Sequence, residues 1–203
     1  ALAAIDEAVE RARSSEGAAI SFWALVYAGR LYAEAGMPGA ADERFAELDR
    51  LTAASPALPA WFTGWREWYG AAAEVERGSP ARAVELAARA LATFEAAKRP
   101  REIPPTRLLL ARAFNDLGRF EEAQAQAEPA LAAARERLGD FSHSRGVGLA
   151  ELELARAAAG SGDPVRARAA IARALDHLRA SMGDDAPETR RALALHAALT
   201  APG

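Results

Sequence analysis

Apolar residues recur along this chain with the period of α-helices. In the first segment Leu2, Ile5 and Val9 fall on one helical face, because residues three and four apart lie above one another on a helix. Similar segments follow, separated by short turns that contain Gly or Pro. The pattern predicts helices at residues 2–14, 18–35, 39–53, 60–77, 80–98, 105–117, 120–138, 144–160, 164–181 and 186–200.

The predicted helices form pairs that repeat along the chain. Four segments align on the glycines of their turns, and these glycines are Gly36, Gly78, Gly118 and Gly162. An alanine stands five residues after each glycine, at Ala41, Ala83, Ala123 and Ala167. Glycine ends helices readily because it adopts the left-handed conformation, so each segment reads as a helix, a short turn and a second helix. Self-similarity at a fixed period is typical of repeat arrays.

Two of the second helices carry a predicted N-terminal cap. Ser79 precedes Pro80, and Asp163 precedes Pro164. A serine or aspartate oxygen can accept a hydrogen bond from a free N–H of the first turn, and proline is favoured at the first helical position. The recurring alanines should mark places where the paired helices approach closely.

The third segment, LARAFNDLGRFEEAQAQAEPAL, resembles the tetratricopeptide repeat (TPR) family, through Leu110, Ala111, Phe114, Gly118, Phe120, Ala123 and Ala130. Two positions depart from the family pattern: Glu74 replaces an aromatic residue, and Ala127 replaces a large one. The period exceeds the usual ~34 residues, which is similar to the longer repeats of kinesin light chain and of large bacterial signalling proteins. The resemblance implies an all-α fold, a right-handed α-solenoid of about four helix-turn-helix repeats plus flanking helices, whose first helices line a concave groove.

The expected organisation is a single solenoid over residues 1–203. Its repeats are predicted at 18–55, 60–99, 104–139 and 144–182, after a partial helix of a preceding repeat at 1–17 and before a C-terminal capping helix at 186–200. The first residues contain neither an initiator methionine nor a signal-peptide pattern. We therefore expect a C-terminal piece of a larger protein.

Composition excludes several classes of protein. The chain has 55 Ala but only 10 Val and Ile, which favours helices over sheets. Its net charge of −3 gives no strong attraction to nucleic acid or to anionic membranes. Zero cysteines exclude disulfides and thiolate metal sites. Because no apolar run approaches the ~18–20 residues of a membrane span, no membrane insertion is expected. We expect a cytoplasmic location, with the periplasm left open.

No motif indicates catalysis or a cofactor. His143, His177 and His196 lie far apart in the sequence and lack the spacing of a metal site. The two glycines of the segment Gly146–Gly148 are expected to loosen a helix start, since no strand precedes them. The acidic pairs, such as Glu151 and Glu153, are interpreted as solvated. The sequence therefore predicts that the protein is not an enzyme and holds no cofactor.

The strongest candidates for a binding role are residues of the first helices. Counting from the turn glycines places twelve of them on the concave side, including Val26, Ala72 and Leu149. The nine candidates for partner binding are Trp23, Arg30, Trp65, Trp68, Leu108, Arg112, Asn115, Leu152 and Arg156. Arg30, Arg112 and Arg156 would form a ladder able to bind carboxylates or backbone carbonyls of an extended peptide. Trp and Arg are enriched in binding hot spots.

A structural interpretation of the same residues stays open. Trp65 and Trp68 also suit one buried face, and the arginines could pair with acidic neighbours, namely Glu34, Asp116 and Glu153.

Three functions are compatible with these patterns. The first is a protein-interaction scaffold that binds a peptide or helix of a partner protein in its groove, within a larger bacterial signalling or regulatory protein. The second is a regulatory or sensor domain of a Ser/Thr kinase or signal-transduction ATPase, which binds a small ligand or its own catalytic domain. The third is self-association through the ends of the solenoid.

Overall fold

The computed structural model describes residues 2–14, 17–139 and 141–201, and within these ranges its regular secondary structure is α-helical. The helices are α1 (Leu2–Arg13), α2 (Ala18–Glu34), α3 (Pro38–Ala54), α4 (Trp61–Glu76), α5 (Pro80–Ala96), α6 (Ile103–Asp116), α7 (Phe120–Leu138), α8 (Arg145–Gly160), α9 (Pro164–Met182) and α10 (Pro187–Thr200). Every helix predicted from the periodicity is present. The all-α prediction is confirmed.

The helices form two compact units, Ala1–Arg99 and Pro100–Gly203. In unit 1, α1 packs on α2, and the hairpins α2–α3 and α4–α5 follow one another, with α2 against α4. In unit 2, the hairpins are α6–α7 and α8–α9; α8 also contacts α6 and α7, and α10 contacts α9 and α8. Each unit is therefore a stack of sequential helical hairpins plus one further helix.

The turn glycines end the first helix of each hairpin, as predicted. Their φ angles lie between 71° and 79°, a region in which a side chain would be strained. In all four turns, the residue after the glycine donates its N–H to a first-helix carbonyl five residues earlier, at 2.9 Å. Met37 to Tyr32 is the first of these bonds. This hydrogen bond satisfies a carbonyl that the helix end leaves free.

The two predicted N-caps have different outcomes. The Asp163 carboxylate accepts a hydrogen bond from the Arg166 N–H at 3.0 Å, which confirms the first prediction. The prediction for Ser79 is wrong, because its side chain accepts no capping bond. A proline follows the cap residue in both helices, so the N–H that it lacks does not account for the difference.

Alanines allow the paired helices to approach closely. Ala41, Ala83, Ala123 and Ala167 are completely buried, as their recurrence in the sequence predicts. Larger side chains fill the space on either side of these contacts. The core of unit 1 is built around Phe22, Leu48 and Phe62, and that of unit 2 around Leu152, Ile171 and Leu178.

The structure corrects the expectation that Gly148 loosens the start of α8. The residue is buried where α8 crosses α9, and a Cβ atom placed on it would lie 2.7 Å from Cγ of Leu178. Glycine here permits a close approach of two helices. The neighbouring Gly146 has no such constraint, since a Cβ there would meet its nearest neighbour, Ala134, at 3.4 Å.

Within the described ranges, the helices are too short or too polar for any of them to cross a lipid bilayer.

Candidate partner-binding surfaces

In unit 1, the first helices of the two hairpins share a continuous aromatic surface. Rings from α2 and α4 meet edge to face or tilted, with centroids 5.6 Å apart for Trp23 and Trp65 and 5.3 Å for Tyr27 and Tyr69. Trp68 continues the series, with its centroid 5.7 Å from that of Trp65. These five residues, together with Arg30, are called the aromatic face below.

The side chains of the aromatic face pack on the core of unit 1 and are also partly exposed to solvent. Trp23, Trp65 and Trp68 lie against the core of unit 1 and are each partly exposed. Tyr27 is 49% exposed, which is unusual for a side chain of this size at the centre of a helix. Each ring therefore packs on the core and still leaves part of its surface exposed, so both interpretations of the tryptophans stay open.

Arg30 adds one positive charge to the aromatic face. Its guanidinium carbon lies 6.0 Å from the ring centroid of Trp68 and 5.9 Å from that of Tyr69, within the range of a cation–π interaction. Its Nε donates a hydrogen bond to Glu34 at 2.6 Å. The arginine is thus oriented by its own helix and held against the rings.

Two polar atoms of the aromatic face are shielded from water. Burial raises the pKa of the Tyr69 hydroxyl, and its hydrogen bond with Tyr27 raises it further, so Tyr69 stays neutral at physiological pH. Nε1 of Trp68 is buried and has no hydrogen-bond partner in the described part of the chain. Neither group has the chemistry of a catalytic acid or base under these conditions.

In unit 2, helices α6, α8 and α10 surround an open cavity of about 270 Å³. Charged side chains dominate its wall: Arg112, Asp116, Glu153, Arg156 and Arg191. Leu152, Ala194 and Leu195 supply the apolar part. This site is called the arginine cavity below.

Arg156 is held in the arginine cavity by two carboxylates. It donates hydrogen bonds to Glu153 at 2.9 Å and to Asp116 at 2.5 Å, and so joins α8 to α6. Burial disfavours its charge, but the two carboxylates outweigh burial and raise the pKa of Arg156. The sequence analysis offered pairing with acidic neighbours as the alternative to an arginine ladder that binds a peptide. Arg156 forms such pairs with Glu153 and Asp116, and Arg30 forms one with Glu34.

Three of the sequence-predicted groove residues lie mainly in packing contacts, and their binding role stays a prediction. Leu152 is only 1% exposed and belongs to the core between α8 and α9, although its edge reaches the arginine cavity. Asn115 is 7% exposed, and its amide nitrogen donates to the carbonyl and the carboxylate of Glu153. Leu108 packs against Leu131 and its neighbours. These side chains support the neighbouring surface residues and expose little surface themselves.

The structure brings Arg112 and Arg156 of the predicted ladder together in unit 2, whereas Arg30 belongs to the aromatic face of unit 1. It also corrects the interpretation of Glu151 and Glu153 as solvated, since they are 0% and 5% exposed. Arg173 binds both carboxylate oxygens of Glu151 at 2.9 Å, and Arg135 adds a third bond at 2.8 Å. These carboxylates are buried with partners, as buried charges must be.

The histidines form no metal site in the part of the chain that the structure describes. The rings of His143 and His177 do meet, with centroids 5.8 Å apart. Nδ1 of His177 accepts a hydrogen bond from the Ser144 N–H at 3.2 Å, which is a structural contact at the start of α8.

Sequence reasoning missed Tyr27, Tyr69 and Arg191. The first two lie four residues after Trp23 and Trp65, one helical turn further along the same side, and this spacing could have identified them. Arg191 was missed because α10 was interpreted only as a cap. The position of α10 after a complete hairpin could have identified this helix as the first helix of a further pair.

Comparison with known proteins yields one type of finding. No protein-family profile matches the chain, and no curated protein matches it. Among solved structures, a Podospora anserina protein described as having nearly identical TPR-like repeats of the kinesin light chain type matches 91% of this chain and 87% of its own, with a TM-score of 0.67 and 19% sequence identity. At this identity the likeness concerns the fold. The chain has the TPR-like helical-repeat fold that the third segment predicts.

Proposed function

We propose that the chain is a protein-interaction module whose aromatic face binds a peptide or helix of a partner protein. The TPR-like fold is typically a scaffold that mediates contacts between proteins. One observation of this molecule carries the proposal. Tyr27 is half exposed and belongs to a cluster of five aromatic rings, and Arg30 lies against this cluster. Rigid aromatic rings and arginine are the side chains that contribute most to binding energy in protein interfaces.

The aromatic face is suited to docking because it is already ordered. Its rings are fixed by packing on the unit 1 core, and Arg30 is fixed by Glu34, so few side chains lose freedom when a partner binds. A site that is ordered before binding keeps more of its contact energy as affinity.

Selection from a random peptide library displayed on phage tests this function. We expect enriched peptides whose affinity falls about tenfold or more in Arg30→Ala, since a loss of ~1.4 kcal/mol or more is typical of a hot-spot contact. Arg50→Ala is the matched control, because Arg50 is exposed on α3 and makes a long hydrogen bond to the Ala46 carbonyl, at 3.4 Å. Peptides that bind both variants and the wild type equally would contradict the proposal, as would the absence of any enriched peptide.

The arginine cavity favours the second candidate function, the binding of a small anion by a regulatory domain. Its wall carries the guanidinium groups of Arg112, Arg156 and Arg191 beside an apolar part that includes Leu195. A thermal-shift screen with dicarboxylates, nucleotides and sugar phosphates tests it. Stabilisation that disappears in Arg191→Ala would support this function, and no shift with any anion would contradict it. The assignment to a bacterial signalling protein rests on the sequence resemblance alone.

A further inference from the structure

The side chains of the aromatic face offer a partner more hydrogen-bond donors than acceptors. The indole N–H groups of Trp23 and Trp65 donate and cannot accept, and the same holds for the guanidinium of Arg30. All three side chains are partly exposed. The two tyrosine hydroxyls, which donate as well as accept, are hydrogen-bonded to each other. A partner that matches this surface therefore brings hydrogen-bond acceptors and few donors.

The charge of the aromatic face is compensated within the chain. Arg30 is the charged member of the face as defined above, and its Nε bonds to the Glu34 carboxylate at 2.6 Å. Its guanidinium also lies against the rings of Trp68 and Tyr69. A strongly charged partner would meet no uncompensated opposite charge on this face, whereas an uncharged partner needs none. The electrostatics thus favour an uncharged segment.

The rings of the aromatic face form an uneven apolar surface. The ring planes of Trp23 and Trp65 are inclined by 66°, and those of Trp65 and Trp68 by 75°. Nε1 of Trp68 is buried, so this ring contributes apolar surface and no donor. Inclined neighbours place ring faces beside ring edges instead of forming one flat plane. Such a surface suits compact apolar rings, which gain close contacts on both.

Proline is the residue that brings acceptors without donors. An ordinary extended peptide carries one backbone N–H for each carbonyl, and on a donor-rich surface these N–H groups lose water without gaining an acceptor, which costs free energy. A helical partner has its carbonyls bonded within the helix, so its backbone offers the donors of the face no acceptor. Proline has a carbonyl and no N–H, and the polyproline II helix leaves its carbonyls free.

The aromatic face is long enough for one turn of a polyproline II helix. Trp23 and Arg30 are seven residues apart on α2, which corresponds to about 10 Å along the helix axis. One turn of polyproline II contains three residues and rises about 9 Å. Two prolines three residues apart therefore match the distance between the two ends of the face.

We propose that the segment bound by the aromatic face is rich in proline and binds as a polyproline II helix. This inference rests on the proposed function and adds the chemical class of the ligand. Its pyrrolidine rings pack on the tryptophan rings, and its carbonyls accept hydrogen bonds from the donors of the face. A proline-rich segment is stiff before it binds, so both sides of the contact lose little conformational entropy.

A decaproline peptide, blocked by an acetyl group and an amide, is the probe for isothermal titration calorimetry. The same peptide built from D-proline is its control, because its composition and polarity are identical and only the hand of the helix is reversed. We expect the L-peptide to bind at least about tenfold more tightly than the D-peptide, since only one hand brings rings and carbonyls to the face together.

Tyr27→Leu tests where decaproline binds. It removes one ring and one hydroxyl of the aromatic face but keeps an apolar side chain on α2, and Tyr27 is half exposed, so the fold should persist. We expect its affinity for decaproline to fall about tenfold, as for a hot-spot contact. Phe141→Leu is the matched control, because Phe141 is an aromatic residue of unit 2 that is 78% exposed. Its affinity should equal that of the natural chain.

Three outcomes would overturn the proposal. The first is equal affinity for the two hands of decaproline, and the second is binding that Tyr27→Leu leaves unchanged. The third is a set of library peptides that lack proline and bind the aromatic face, as judged by Arg30→Ala, while decaproline does not bind. This third result would leave the proposed function standing. Failure of the library and of decaproline together would contradict both.

Discussion

A single glycine sets the distance between α8 and α9. Replacing Gly148 with alanine places a methyl group 2.7 Å from Leu178, inside a buried contact. We expect Gly148→Ala to lower the free energy of unfolding by about 1–3 kcal/mol, the usual cost of overpacking. Gly146→Ala is the matched control on the same helix, and it should leave stability unchanged or raise it by up to about 1 kcal/mol, because alanine favours helix.

The measurement should use urea unfolding followed by circular dichroism, since this signal reports helices in both units. Equal stability of the two variants would show that Leu178 moves aside without cost, and would contradict the importance of the close approach.

The face that a residue occupies was harder to predict than the helix that contains it. One position along a helix turns the side chain by about 100°. Leu152 and Arg156 are one turn apart and both reach the arginine cavity, yet Leu152 is only 1% exposed and belongs to the core. Asn115 and Glu153 are polar residues that the structure buries as partners of each other. Such a pair carries no signal in a single sequence, because each residue alone is typical of a surface.

Helix α1 is held to unit 1 by polar contacts as well as by the packing of Val9, Leu2 and Ile5 on the core. The Tyr32 hydroxyl donates to both oxygens of Asp6, at 2.6 and 2.7 Å, and lowers the pKa of this carboxyl, with Arg44 acting in the same direction against the effect of burial. Arg13 likewise lowers the pKa of Glu47. Carboxyls with lowered pKa values stabilise the folded state above their ordinary pKa, and this contribution is lost as the pH falls through the lowered values.

We therefore expect α1 to lose its protection against amide hydrogen exchange on acidification, starting below about pH 4, the ordinary range of these carboxyls. Asp6→Asn should weaken the protection already at neutral pH, by about 1 kcal/mol or less because the group is partly exposed. The change between neutral and acidic pH should be smaller in this variant. Glu43→Gln, at an exposed carboxyl of α3, is the control. Protection of α1 that is independent of pH would contradict this account.

Helix α7 runs from Phe120 to Leu138 with a proline inside it. Pro129 is exposed, so its replacement changes no buried contact, and an alanine would restore the N–H that the helix lacks there. We expect Pro129→Ala to raise the free energy of unfolding by about 1–2 kcal/mol, less than the full ~3 kcal/mol of a helix-interior proline because the unfolded chain becomes more flexible. Urea unfolding measures the change. A destabilised variant would indicate that packing depends on the proline geometry.

The repeat pattern predicted most of the fold because it is encoded locally. Each turn glycine, such as Gly118, needs a positive φ, and each buried alanine, such as Ala123, needs a close neighbour; both requirements appear at fixed positions in every hairpin. How far one unit continues into the next is set by contacts between distant residues, which the pattern does not contain. The single solenoid over residues 1–203 therefore stays a prediction, and the structure describes units Ala1–Arg99 and Pro100–Gly203.

The aromatic face also makes unit 1 the optical reporter of the molecule. All four tryptophans and all three tyrosines of the chain lie between Trp23 and Tyr69, so ultraviolet absorbance near 280 nm and intrinsic fluorescence come from unit 1. Fluorescence of the natural chain thus follows the melting of unit 1 without any dye, while the far-ultraviolet signal follows both units. A difference between the two melting curves would directly give the degree to which the halves of the chain unfold as one.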